Sequence, residues 1–304
     1  MTASLTFEDR VVVVTGAGNG IGRAYAQEFA RRGAKVVVND LGGTVAGEGR
    51  DAAAADTVVA EIIAANGHAI ANYDSVVDGE KIVQAAIDEW GRVDVLLNNA
   101  GIAYATPFSE MTPELWRRML DVHVEGSYAC TYAAWPHMMQ QGFGRLLFTS
   151  SPFGLYAAAG FAHYSAAKAA MLGFSKALAL EGREHNIHAN AVAPFSASRM
   201  TGRTNDEQAA SPFGPRYLAQ LAVWLSHPDT TETGGVFELG GGYIHRVVNA
   251  LSRGLHLPDA EHTAENVAAG RDVLDDFSEN IHPPLGESWT IGRDVFGDDW
   301  ADKF

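Results

Sequence analysis

The chain has 304 residues, 47% of them apolar and 19% charged, and a formal net charge of −15. Length and composition suit a globular protein of one large or two modest domains with a substantial core. The acidic balance disfavours nucleic acid and anionic membrane as partners, and no apolar run reaches the ~20 residues that span a bilayer.

Residues 1–10 carry neither a basic stretch nor an apolar run, so no signal peptide is expected. Residues 11–15 read Val-Val-Val-Val-Thr, a β-branched run suited to a strand buried on both faces. Gly16, Gly18, Gly20 and Gly22 follow with Asn19 and Ile21 among them, and helical periodicity then runs to residue 32. A second strand, 35–39, ends at Asp40. Strand, glycine turn, helix, strand and acid form the unit that binds a dinucleotide, with its pyrophosphate at the helix N-terminus. The glycine spacing differs from the usual G-x-G-x-x-G, so context carries the signal. Asp40 suits the adenosine ribose and repels a 2′-phosphate. Asn19 stands in the loop where a cation would favour that phosphate, so NAD is expected rather than NADP.

Gly42 to Gly49 reads as a flexible loop beside the adenosine. Helices are then expected near 51–66, 77–90, 112–141, 162–184 and 212–226, after the first near 20–32. Strands are expected near 68–72, 93–97, 144–149, 187–192 and 235–239, giving about seven in all. This alternation predicts a doubly wound, Rossmann-like parallel sheet flanked by helices on both faces. Residues 194–214 lack a clear period and follow a strand's carboxyl end, so they read as a substrate lid. Cys130 is the single cysteine; it permits no intrachain disulfide and points to a reducing compartment.

The chemistry falls on Ser151, Tyr164 and Lys168. In a helix, residues four apart share a face, so the Tyr164 phenol and the Lys168 ammonium are neighbours. A free phenol, with a pKa of about 10, is a poor base at neutral pH, and a nearby cation favours the phenolate. Ser151 can orient a hydroxyl or carbonyl against it. This set interconverts an alcohol and a ketone without a metal, given a hydride acceptor.

With these motifs in place the chain resembles the short-chain dehydrogenase/reductase family over residues 8–242. Thr15-Gly16-x-x-x-Gly20-x-Gly22, Asn98-Asn99-Ala100-Gly101 and the Ser151, Tyr164, Lys168 trio carry the likeness. Val37 to Gly43, Ala71 to Val76, Asn186 to Asn190 and Gly234 to Glu238 bring it closer to one branch, that of (3R)-hydroxyacyl-CoA and 17β-hydroxysteroid dehydrogenases. The resemblance implies that Lys168 also bonds the nicotinamide ribose, and that Asn99, Ala100 and Gly101 run beside the cofactor. It also implies that Asp74 contacts the adenine, with Ser75 beside it among the cofactor-binding residues, that Thr201 reaches the nicotinamide carboxamide, and that Pro194, also cofactor-binding, leads into the lid. The family's relay Asn is replaced by His123, which reads either as an altered proton relay or as a buried structural histidine. Phe153, Tyr156, Phe161 and Phe195 suit an apolar substrate, although core packing explains aromatics equally well.

The resulting expectation is NAD-dependent oxidation of a 3-hydroxyacyl-CoA to a 3-oxoacyl-CoA, with a 17β-hydroxysteroid as the alternative substrate. An idle NAD-binding scaffold is the remote alternative. Arg199, Arg203, Arg216 and Arg246 are candidate cations for coenzyme A phosphates. No metal is expected, and a homodimer or homotetramer is implied by the resemblance. Residues 1–250 read as one catalytic domain. Residues 251–304 read as an acidic extension, with twelve Asp/Glu against three Lys/Arg after residue 254. Phe277, Trp289, Phe296 and Trp300 would pack this extension in part. The ending Ala-Asp-Lys-Phe is not a Ser-Lys-Leu address, so a cytoplasmic location is expected.

Overall fold

The structure, a computed structural model, describes residues 4–197, 202 and 205–286. Its strands are β1 (Val11–Thr15), β2 (Lys35–Asn39), β3 (His68–Asn72), β4 (Val95–Asn98), β5 (Gly144–Thr149), β6 (Ile187–Pro194), β7 (Val236–Gly240) and β8 (Tyr243–Val247). They form one sheet of order β3-β2-β1-β4-β5-β6-β7-β8, and β1 to β7 pair in parallel. The order reverses between β1 and β4. In an open α/β sheet, that is where a crevice opens at the strands' carboxyl ends.

Among the described residues eight strands stand where about seven were expected. Residues 243–246 of β8 are exposed, so the strand lacks the inward-facing alternation that would mark it in sequence. Gly241 and Gly242, with φ of +58° and +85°, make the two-residue turn that leads into it.

The helices are α1 (Gly20–Arg31), α2 (Ala53–Ala64), α3 (Gly79–Trp90), α4 (Pro113–Leu120), α5 (Gly126–Gln141), α6 (Pro152–Tyr156), α7 (Ala162–Glu181), α8 (Asn205–Ala210), α9 (Arg216–Ser226), α10 (Ala264–Ala269) and α11 (Arg271–Leu274). The single helix expected over 112–141 is divided. Thr112 caps α4, accepting from Leu115 N–H, and a π turn over Asp121–Glu125 separates α4 from α5. Such turns bulge a helix and re-aim its side chains. Here the turn carries His123.

Strand pleating sends alternate residues to opposite faces. Val12, Val14, Val36, Val38, Val95, Leu97 and Leu147 share a core with Tyr25 and Phe29 of α1 and Leu218 and Leu225 of α9. Val11, Val13, Val37, Leu96 and Leu146 alternate with them and are equally buried, on the face covered by α3, α5 and α7. Both faces are therefore dry, as a parallel sheet requires. The chain divides into two compact units, Met1–Arg246 and Val247–Phe304. In the second, Leu251 and Ile281 form an antiparallel bridge, and Phe277 is more than half exposed. Trp289, Phe296 and Trp300 lie outside the described residues.

The amino ends of the central strands are tied by Asp94, whose side chain is fully buried. Its carboxylate accepts from Val11 N–H at 2.9 Å, from Arg10 at 2.8 Å, and from two Arg92 nitrogens at 2.8 and 2.7 Å. Removing it leaves two guanidinium groups and a buried amide without their acceptor. Asp94→Ala should cost about 3 kcal/mol. Urea unfolding should show this as a lower midpoint at unchanged slope.

Candidate active site

The turn after β1 is shaped by close approaches that only glycine permits. A β-carbon on Gly16 would stand 2.8 Å from the Ala100 Cα, and one on Gly22 would stand 2.2 Å from the Gly16 carbonyl oxygen. The turn therefore lies directly on the segment after β4. Thr15 bonds the two together. Its hydroxyl accepts from Asn99 N–H and Ala100 N–H, both at 3.0 Å, and donates to Leu97 O at 3.2 Å. The Asn99 amide returns to Thr15 O at 2.9 Å.

Asn19 caps α1 without a side-chain hydrogen bond of its own. Asp40 is 7% exposed. Its two carboxylate oxygens accept from Gly18 N–H at 2.8 Å and Gly42 N–H at 2.7 Å. A carboxylate has about four lone-pair sites, so acceptor capacity remains for ribose hydroxyls. A glycine cradle at the start of α1 and an acid at the end of β2 together fit an adenine dinucleotide.

One cleft of about 510 Å³ joins this cradle to the reactive trio. Gly16, Asn19, Gly20, Ile21, Gly22, Asp40, Asp74, Ser75, Asn99, Ala100, Gly101 and Pro194 line it, together with Ser151, Phe153, Phe161, Tyr164, Lys168 and Phe195. Two expected residues among those described, Tyr156 and His123, are not in its wall. Tyr156 is 65% exposed and donates its hydroxyl to Glu238 at 2.8 Å, which turns it away from the cleft. His123 lies behind Tyr164, and Thr201 lies outside the described residues. Thr44, Val45, Ile102, Ala103 and Val122 line the cleft unforeseen. They are small or aliphatic and carry no chemical signature in a sequence.

Ser151 follows β5 and is the N-cap of α6; its hydroxyl accepts from Phe153 N–H at 3.1 Å. The oxygen is thus engaged as an acceptor and its own O–H remains to donate. Tyr164 and Lys168 sit one turn apart on α7 and are both buried. Lys168 Nζ donates to Thr149 O at 2.7 Å and lies 5.7 Å from the Tyr164 ring centroid. Phe153 and Phe161 stand 6.2 Å from the same ring, forming an apolar wall.

Burial sets the protonation of this group. It lowers Lys168 to about 7, because an ammonium loses solvation there. It raises Tyr164 above 10, and the Ser151 hydroxyl opposes that shift. A charged Lys168 alone would pull the phenol down. In the protein alone desolvation dominates and the direction is up.

His123 is almost fully buried, with its ring edge-on to Tyr164 at 5.4 Å. Nε2 lies 2.9 Å from Ile102 O and 3.2 Å from Ile102 N. A β-carbon on Gly101 would stand 2.4 Å from the imidazole, so the glycine makes room for the ring. Burial, with Lys168 nearby, holds its pKa well below 6.5.

The described residues that flank the expected lid segment meet one another. The Phe195 and Phe213 rings are 5.3 Å apart, and Ala197 N–H donates to Phe213 O at 2.9 Å. Of the candidate cations, Arg216 donates to Ser211 O and the Tyr217 hydroxyl, and Arg246 pairs with Glu232. Arg199 and Arg203 lie outside the described residues. Among the described residues no cluster of metal-ligating side chains occurs, and no helix is long and apolar enough to cross a membrane.

Residues 10–209 match the family described as short chain dehydrogenase. The peroxisomal multifunctional enzyme A of Dictyostelium discoideum is 48% identical over 280 residues, covering 92% of this chain and 63% of that protein. The peroxisomal multifunctional enzyme type 2 of Mus musculus is 47% identical over 297 residues, covering 96% of this chain and 40% of that protein. The structure of the full-length peroxisomal multifunctional enzyme type 2 from Drosophila melanogaster superposes with a TM-score of 0.80 at 32% identity, covering 97% of this chain and 51% of that one. The chain thus spans less than two thirds of the length of these relatives. Their names overturn the expectation of a cytoplasmic location, since they are peroxisomal enzymes.

The His123 shift has a consequence for stability. In the unfolded chain this imidazole takes a proton near 6.5; in the folded chain it does so only at much lower pH. The unfolded state therefore binds more protons below 6.5. Stability is unaffected by this group above that value and is lost as pH falls through it. Urea unfolding at pH 7.5, 6.5 and 5.5 should show wild type losing up to ~1.4 kcal/mol per pH unit below 6.5 relative to His123→Asn.

Proposed function

The chain belongs to the short-chain dehydrogenase family, whose members act on CH–OH donors, and we propose that it oxidises 3-hydroxyacyl-CoA to 3-oxoacyl-CoA with NAD. The observation that carries this reading is the single cleft lined by Asp40, Ser151, Tyr164 and Lys168. When bound, the oxidised dinucleotide supplies the hydride acceptor. Asp40 would hold the adenosine ribose and would disfavour a 2′-phosphate through its charge. The Ser151 O–H, freed by the Phe153 N–H bond to its oxygen, donates to the substrate oxygen. Tyr164, as phenolate, takes the hydroxyl proton while the C–H hydride leaves. Lys168, anchored on Thr149 O, orients its remaining donors toward the cleft and favours the phenolate when charged.

The acyl-CoA assignment draws on the branch resemblance carried by Val37 to Gly43, Ala71 to Val76, Asn186 to Asn190 and Gly234 to Glu238, and on the apolar Phe153, Phe161 and Phe195 of the cleft. A 17β-hydroxysteroid makes the same demand on Tyr164 and stands as the second reading. The relatives' names also support a peroxisomal setting. A homodimer or homotetramer accompanies the family assignment, and sedimentation velocity measures it.

Initial rates should be higher with NAD than with NADP; a preference for NADP removes the role given to Asp40. Tyr164→Phe should lower kcat by about 10²–10⁴-fold while NADH binding, read by fluorescence, persists. Because burial raises the phenol and oxidation needs the phenolate, kcat/KM for oxidation should rise with pH across the alkaline range. A profile that falls instead excludes Tyr164 as base. A panel of 3-hydroxyacyl-CoA and 17β-hydroxysteroid substrates, followed at the reduced nicotinamide band, separates the two substrate readings.

A further inference from the structure

The proposed chemistry leaves unused the loop that joins β2 to α2. Its ends meet: Asp51 N–H donates to Leu41 O at 3.2 Å, and a β-carbon on Gly42 would stand 2.0 Å from Asp51 O. Its middle is braced internally. Thr44 N–H donates to Glu48 O and Gly47 N–H to Thr44 O, both at 2.8 Å, and the Thr44 hydroxyl accepts from Glu48 N–H at 3.1 Å. Closed ends with self-made bonds define an Ω-loop.

The tip is fastened far more lightly. Val45 O accepts from Ala103 N–H at 3.0 Å. Gly47, at φ +78°, rests on Ile102, where a β-carbon would meet Cγ2 at 2.8 Å. Glu48 faces Arg118 of α4 at 3.9 Å, and both side chains are exposed. Gly43, Thr44, Val45 and Gly47 line the cleft, so the loop walls it between Asp40 and Ala103. Glu48 and Arg118 do not line it.

From this closed base and lightly held tip we propose that residues 42–51 are a strap that gates entry and release of the dinucleotide, with Glu48 and Arg118 as the pair that holds it shut. The proposal rests on the NAD reading above. The internal bonds make the loop one body, so it opens by giving up the Val45–Ala103 bond and the Glu48–Arg118 attraction. Nothing in its own fold need break. Hinges of this kind concentrate where a few weak contacts hold a braced segment.

Stopped-flow NADH fluorescence gives the release rate without any alcohol substrate. Glu48→Lys, which sets two cations face to face, should speed release by about threefold, the scale of an exposed ion pair. The charge-swapped double variant Glu48→Lys/Arg118→Glu should return release to the wild-type rate. Gly47→Ala, which pushes the tip off Ile102, should also speed release. NADH binding with unchanged release in Glu48→Lys and Gly47→Ala overturns the strap alone, as does an acceleration that the charge swap leaves in place. A chain that binds no NADH overturns the strap and the NAD reading together.

Discussion

The top of the sheet depends on one buried hydroxyl. Thr15 accepts two amides from the chain after β4 and donates to a carbonyl of β4 itself. This joins the ends of the two strands between which the sheet order reverses. The glycine turn can then lie against Ala100, and α1 starts at the edge of the crevice. A bulkier backbone at Gly16 or Gly22 would push these segments apart, because the space is already filled by Ala100 and by the turn's own carbonyl. The cleft is thus a consequence of close backbone contact, and the reactive side chains are arranged around it.

Burial then controls the chemistry. Ser151, Tyr164, Lys168 and His123 are all at most 9% exposed. Desolvation favours the neutral form of each ionisable member: it raises the phenol and lowers the ammonium and the imidazole. A site built this way responds strongly to any charge brought beside it, since little water screens the field. His123 reaches the phenol only by ring contact and is fastened to Ile102, whose next residue bonds the strap. The loop at the adenosine end and the phenol are therefore linked through Ala103, Ile102 and His123.

Much of this was legible from residue type and spacing. The valine run of β1 is a local signal for the central strand, and the glycines, Asp40 and the i, i+4 pair of Tyr164 and Lys168 are local signals that the structure gathers in one cleft. Other features depend on tertiary contacts. The π turn at His123 interrupts a helix whose periodicity reads as continuous. Tyr156 has the character of a pocket residue, yet its hydroxyl is taken by Glu238, 82 positions away. Strand β8 has no inward face to reveal it, and the strap reads as a flexible glycine loop until its closed base and bonded tip are seen. The sign of the Tyr164 shift was also hidden, because sequence reports the lysine neighbour but not the depth of burial.

The central claim is that cradle and reactive trio serve one bound dinucleotide. A crystal structure with NAD tests it most directly. The account predicts the adenosine ribose on the Asp40 carboxylate and the pyridine ring beside the Tyr164 hydroxyl, with Lys168 on the adjoining ribose. A pyridine ring bound away from Ser151, Tyr164 and Lys168 would contradict it.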